Sequence, residues 1–364
     1  MIKNLVKKNI LDIKPYEPGK PIEELERELG ISGAIKMASN ENPLGPSKKA
    51  IGAIKKAIRT VNRYPDGTCY YLKRALSKDL NVSPENLIIG NGSNEIIELT
   101  LRTFLNEGEE VIMSEPSFLI YNIATKVVDG SPVVIPLEDF KVDLDSIRRA
   151  ITSRTKLIFI DNPNNPTGKS VGEREVERFL ERLPDTVIVV FDEAYNEFVE
   201  REDFPDTIRY IGRKNIIILR TFSKAHGLSG LRIGYGIAEK EIIQFMERTR
   251  QPFNVNSVAQ IAAIASLRDK KHIARSQLVV SEGKQFLYRN LDSMGLHYLK
   301  SDTNFILIDV GKSGREVFEK MLKEGVIVRD MEAYKLSNYI RVTIGTASEN
   351  HRFIKALKKV LGKT

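Results

Sequence analysis

The stretch Lys156–Gly168, KLIFIDNPNNPTG, decides the architecture of this 364-residue chain. After Lys156 it carries four consecutive apolar residues with no polar alternation, which suits a strand covered on both faces better than a helix. The apolar run stops at Asp161-Asn162-Pro163-Asn164-Asn165-Pro166-Thr167-Gly168, a loop whose prolines hold its geometry while its asparagine amides offer donors and acceptors. Two later runs repeat the arrangement: Val187–Phe191 leads into Asp192-Glu193-Ala194-Tyr195, and Ile216–Leu219 leads into Arg220-Thr221-Phe222-Ser223-Lys224. Further strand candidates are Leu87–Ile89, Glu110–Met113 and Pro132–Ile135, and helical stretches run over Ser47–Arg59, over Thr68–Leu80 and from Ser93. The pattern predicts an α/β fold with a mostly parallel central sheet flanked by helices.

Outward from that centre the composition changes. Residues 1–45 hold prolines around one helix-like stretch, Ile22–Leu29, and read as an arm joined to a smaller domain. After QPFNVNS, residues 251–257, one long helix is expected over Val258–Leu291. Strand Asn304–Asp309, helix Gly314–Glu324, strands Val326–Arg329 and Tyr339–Ile344, and helix Ser348–Leu361 follow. The expected division is therefore an arm (1–45), a large domain (46–257), and a connecting helix with a smaller α+β domain (258–364).

Lys and Arg number 56 against 48 Asp and Glu, a net charge of +8. The basic residues are interspersed with acids apart from a short run at Lys355–Lys363, so no nucleic-acid partner is expected. Cys69 is the only cysteine, which excludes a disulfide scaffold and fits a reducing compartment. No run of about 20 apolar residues is present and the amino terminus lacks a signal-peptide core, so no membrane partner is expected and the cytoplasm is the expected location. No His/Cys/Asp cluster has metal-ligand spacing, and no metal is expected.

Ligands of open α/β sheets sit at the carboxyl ends of the strands, so polar residues just after the apolar runs are the candidates. Gly92, Ser93 and Asn94 open a helix after Leu87–Ile89 and aim backbone N–H groups at an anion, with an ordinary tight turn as the alternative. Glu95 rules out the dinucleotide fingerprint. Asp192 places a carboxylate at the mouth of a buried strand, where it needs a cationic partner. Lys224 and Arg232 bracket a glycine-containing segment.

In order and combination these motifs closely resemble the fold-type I, pyridoxal-phosphate-dependent aminotransferases, from Tyr16 to about Gly345. The resemblance implies pyridoxal 5′-phosphate as cofactor. It implies that Lys224 bonds the cofactor's aldehyde carbon and moves the substrate proton, that Asp192 pairs with the pyridinium nitrogen, and that Tyr195 and Asn165 contact the phenolic oxygen. Gly92, Ser93, Asn94, Ser223 and Arg232 would meet the phosphate, and Phe118 would stack on the ring. Arg341 matches the arginine that grips the substrate carboxylate.

Lys14–Pro21, Ala38–Gly45, Arg63-Tyr64-Pro65 and Asp192–Phe198 narrow the resemblance to members whose amino substrate carries a phosphate ester. For these, the resemblance implies a homodimer in which Tyr64 reaches the partner's cofactor phosphate, with Tyr16 and Arg329 as further substrate contacts. One guanidinium, that of Arg341, can fork onto either a carboxylate or a phosphate. Decarboxylation of a phosphorylated amino acid and broader aromatic transamination stay open on the same scaffold. A ligand-sensing role stands against the intact Lys224, Asp192, Tyr195 and Arg232 set. His226 departs from the family pattern and reads as a packed ring, with an influence on Lys224 as the alternative.

Overall fold

A computed structural model describes residues 2–363. Its strands are β1 (Ile35–Lys36), β2 (Leu87–Gly90), β3 (Glu110–Glu115), β4 (Ser131–Pro136), β5 (Thr155–Asp161), β6 (Ile188–Asp192), β7 (Ile216–Thr221), β8 (Gly234–Ala238), β9 (Phe305–Asp309), β10 (Val326–Ile327), β11 (Arg329–Asp330) and β12 (Tyr339–Thr343). Seven of them form one sheet in the order β2-β8-β7-β6-β5-β3-β4. All neighbours in it are parallel except those of β8, which runs against both β2 and β7. Ile158, Ile160, Val189, Phe191, Ile216 and Ile218 pack on one face of the sheet, and Leu157, Phe159, Ile188, Val190, Ile217 and Leu219 on the other. Both faces are dry, which is why these strands show no polar alternation.

The apolar-run reading does not find β8. Its sequence, GYGIA, contains two glycines, which ordinarily weaken a strand. Here they are required by close approach: a Cβ on Gly234 would lie 2.5 Å from the Ser93 nitrogen, and one on Gly236 would lie 2.9 Å from Ile88.

The helix expected over Val258–Leu291 is two helices, Ser257–Leu267 and Lys270–Ser293, broken at Asp269, whose φ of −108° and ψ of 59° are not helical. The first half buries Ala259, Ala262, Ala263 and Leu267 in the core beneath the large sheet. The second buries Val280, Leu287 and Leu291 against the small sheet, so the break falls where the chain passes between two cores. The strand expected over Val326–Arg329 also splits. β10 pairs in parallel with β1, whereas β11 pairs antiparallel with β12, in the three-stranded order β11-β12-β9. The β1–β10 pairing ties the amino-terminal segment to the carboxyl-terminal one. Among the described residues no helix is long and apolar enough to cross a membrane.

Candidate active site

Because β5, β6 and β7 are parallel, their carboxyl ends open side by side into a cavity of about 550 Å³. Tyr16, Ser93, Asn94, Phe118, Asn165, Asp192, Tyr195, Ser223, Lys224, Arg232, Arg329 and Arg341 all line it. Residues separated by more than 300 positions thus share one space.

Asp192 ends β6 and is buried. Burial pushes its carboxyl up to about 6, opposed by hydrogen bonds from the Tyr121 hydroxyl at 2.9 Å and the Ala194 N–H at 3.2 Å. Tyr121, which sequence reasoning missed, lies on the helix Ile120–Val127 and stacks on Phe159 with ring centroids 4.7 Å apart. No local signal distinguishes such a tyrosine from an ordinary core ring.

Lys224 follows β7 and donates to the Ser39 carbonyl at 3.3 Å. Burial lowers its ammonium to about 8, and the positive charges of Arg341 and Arg232 push the same way while Glu41 opposes them. A lysine near 8 is free amine in useful proportion at neutral pH, as a nucleophile and base requires. Tyr195 lies beneath it, with the Lys224 nitrogen 5.5 Å from the ring centroid. The Tyr195 hydroxyl accepts from Asn40 Nδ2 at 2.9 Å, and burial holds the phenol well above its ordinary range. Asn40 belongs to the Ala38–Gly45 segment, quoted above without a role; its φ of 56° is the left-handed conformation that Asn tolerates.

On the opposite side, the helix Ser93–Phe104 begins behind Gly92, and no side chain caps its first turn. Ser93 and Asn94 at its start line the cavity with Ser223 and Arg232, whose Nη1 donates to Ser223 Oγ at 3.4 Å and to the Ser229 carbonyl at 3.0 Å. Gly92 itself does not line the cavity, but a Cβ there would lie 2.6 Å from Arg232 Nη2, so only glycine leaves room for the guanidinium.

Arg341 on β12 is buried; its Nη1 donates to Asn165 Oδ1 and its Nη2 to the Ala38 carbonyl at 2.9 Å. Its Nε is buried without a partner among the described residues. Arg329 is its direct neighbour across the β11–β12 register and lies 5.8 Å from the Tyr16 ring centroid. Like charges opposite one another on a sheet destabilise it, so two arginines facing one cavity mark a place for an anion.

Two sequence candidates stand apart. Tyr64 is 83% exposed, outside the cavity, and stacked on Phe253 at 4.8 Å. His226 is packed away from the cavity, against Phe222, with Nδ1 2.8 Å from Ser266 Oγ. Burial pushes its value down to about 3, so it is neutral at neutral pH.

The donor set fits pyridoxal 5′-phosphate. An uncapped helix N-terminus, Ser223 and Arg232 suit a phosphate dianion, and the Gly92 and Gly234 contacts show that backbone and guanidinium crowd the place where it would lie. A buried carboxyl, Asp192, and an amine of lowered pKa, Lys224, line the same cavity as that cradle.

The profile of the family described as Aminotransferase class I and II matches residues 32–357. Histidinol-phosphate aminotransferase of Moorella thermoacetica is 49% identical over 97% of this chain and 92% of its own length. That of Caldicellulosiruptor saccharolyticus is 48% identical over 97% and 99%. The crystal structure of histidinol-phosphate aminotransferase from Sinorhizobium meliloti in complex with pyridoxal 5′-phosphate superposes with a TM-score of 0.90 at 29% identity, covering 98% of this chain and 97% of that one. From sequence and cavity alike, the chain belongs to the class I and II aminotransferases and is a pyridoxal 5′-phosphate-dependent transaminase.

Proposed function

We propose that the protein exchanges an amino group between L-histidinol phosphate and 2-oxoglutarate, giving imidazole-acetol phosphate and L-glutamate, a step of histidine biosynthesis. The observation that carries this reading is the Arg329–Arg341 cross-strand pair facing the cavity, with Tyr16 beside it. The near-full-length relatives of that name support it.

When bound, pyridoxal 5′-phosphate supplies an electron-withdrawing ring that stabilises negative charge at the substrate's amine-bearing carbon. Lys224 would hold the cofactor and carry the proton to and from that carbon, and its lowered pKa suits both directions. Asp192, kept in place by Tyr121, would pair with the ring nitrogen, and a positive charge there would draw the carboxyl toward its ionised form. Asn165 and Tyr195 would address the phenolic oxygen, Phe118 would stack on the ring, and Ser93, Asn94, Ser223 and Arg232 would anchor the phosphate. Arg341 forks onto the glutamate carboxylate in one half-reaction and, with Arg329 and Tyr16, onto the phosphate ester in the other.

The same reading takes the protein as a cytoplasmic homodimer with shared sites. Tyr64 is supported in that role by its exposure, and Ile58 and Val61 nearby are exposed apolar residues that a partner would cover. The two cores and the β1–β10 pairing support a large domain that begins near 46 and takes in the helix Ser257–Leu267, past the expected limit of 257, and a small domain built from both chain ends.

The test is a substrate panel on the purified, cofactor-loaded protein. L-histidinol phosphate with 2-oxoglutarate should release glutamate, whereas threonine phosphate should release no CO₂. No glutamate from histidinol phosphate, or turnover of phenylalanine at least as efficient, overturns the assignment.

A further inference from the structure

Asp161 ends β5 directly beside Asp192, its register partner, and lines the cavity although it is only 4% exposed. No salt bridge reaches it among the described residues, and burial, with Asp192 adding, pushes its carboxyl up to about 7. A second acid so close to Asp192 is costly. Its hydrogen bonds show what it does. Oδ1 and Oδ2 accept from Asn164 Nδ2 at 3.0 and 3.1 Å, and Oδ2 also accepts from the Asn165 N–H at 3.0 Å. Asn164 closes the turn from its other end, its Oδ1 accepting from the Thr167 N–H at 3.1 Å and its Nδ2 donating to the Pro116 carbonyl at 3.1 Å. The turn so fixed carries Asn165, whose Oδ1 is taken by Arg341 Nη1. With Oδ1 occupied, Asn165 Nδ2 is the end left for the cavity, and among the described residues it donates to no protein atom.

We propose that Asp161 is a positioning residue of the transamination site: by gripping the Asn164–Asn165 turn it sets both the seat of the Arg341 guanidinium and the direction of the Asn165 amide that faces the cofactor. The chain Asp161–Asn165–Arg341 joins the end of a large-sheet strand to β12 of the small sheet, so a displacement at Asp161 is felt where the substrate's anion is held. A neutral residue could cap the turn through one acceptor; a carboxyl accepts from the backbone N–H and from the Asn164 amide together.

The inference rests on reading this cavity as the transamination site, and the wild-type substrate panel tests that reading separately. Asp161→Asn keeps the shape but gives up one acceptor oxygen for a donor facing donors. In the loaded enzyme it should raise the KM for glutamate about tenfold, as loss of a charge-assisted hydrogen bond does, with kcat changed less. The pH midpoint of the bound cofactor's visible absorption should move, because the amide facing the ring has turned. Binding of pyridoxal 5′-phosphate to the apoprotein, followed by fluorescence, should stay within about threefold of wild type, since the phosphate cradle is untouched. In a cycle with Asn165→Ala, the two KM effects should be less than additive. Wild-type KM with an unmoved midpoint, or full additivity, overturns the proposal, as does a change confined to Tm. Should Asp161→Asn fail to fold, Asp161→Ser, which retains an acceptor for the Asn165 N–H, is read by the same KM and midpoint criteria.

Discussion

One wall of the cavity comes from the ends of β5, β6 and β7, and the other comes from the chain ends: Tyr16 and Asn40 from the first 45 residues, Arg329 and Arg341 from the last 40. On the first wall each functional residue lies within a few positions of a buried apolar run, so parallel pairing alone brings Asp161, Asp192 and Lys224 together. On the second wall nothing local aligns the residues. Arg341 meets Asn165 across 176 positions, and the Asn40 N–H donates to Thr343 Oγ1 across 303. On the proposed reading, the sheet-end wall holds the groups for cofactor chemistry, and the chain-end wall holds the cations for the substrate.

The largest expected effect lies on the first wall. Lys224→Ala should cost at least about 10³-fold in kcat, as loss of the group that moves the proton does, and it should remove the cofactor's visible absorption. Mixed with Tyr64→Phe subunits, it should regain activity above either parent, because one site of the mixed dimer then has both residues; no gain breaks the shared-site reading. A middle effect is expected on the second wall. Arg341→Lys should lower kcat/KM about 10²-fold for glutamate and for histidinol phosphate alike, because an ammonium cannot fork onto either anion, while cofactor binding stays unchanged. A loss for one substrate only would show that the two anions have separate seats.

The smallest effect is expected behind both walls, at His226. His226→Phe should leave kcat within about twofold. Its ordinary value of 6.5 falls to about 3 in the fold, so between those values the unfolded chain binds the extra proton and wild-type stability drops as pH falls. Urea unfolding at pH 7 and pH 5 should therefore show the variant losing less stability on acidification, by at most about 1.4 kcal/mol per pH unit. An equal acid loss in both proteins would mean that His226 is charged in the native state.

The parallel sheet was legible because strands dry on both faces must be written as unbroken apolar runs, as in LIFI over 157–160. The candidate residues of the sheet-end wall were legible because they follow those runs directly, and the family resemblance implied their roles toward the cofactor. β8 was not legible: its glycines answer to Ser93 and Ile88, which are distant in sequence. Nor was the helix break at Asp269, since the apolar spacing is helical on both sides and only the change of core interrupts it. Tyr121 was hidden for the same reason, its hydroxyl being defined by Asp192, 71 positions away.

Local spacing thus carried the fold class, because an unbroken apolar run and the turn after it are adjacent along the chain, and the resemblance of the motifs in order and combination implied the cofactor and the amine that would hold it. The cross-strand arginine pair, the Asn40–Tyr195 and Tyr121–Asp192 contacts and the Asp161–Asn165–Arg341 chain arose only on folding. The Asn40–Tyr195, Tyr121–Asp192 and Asn165–Arg341 hydrogen bonds span 155, 71 and 176 positions, and hydrophobic burial of the two cores, not any local preference, brings those segments together.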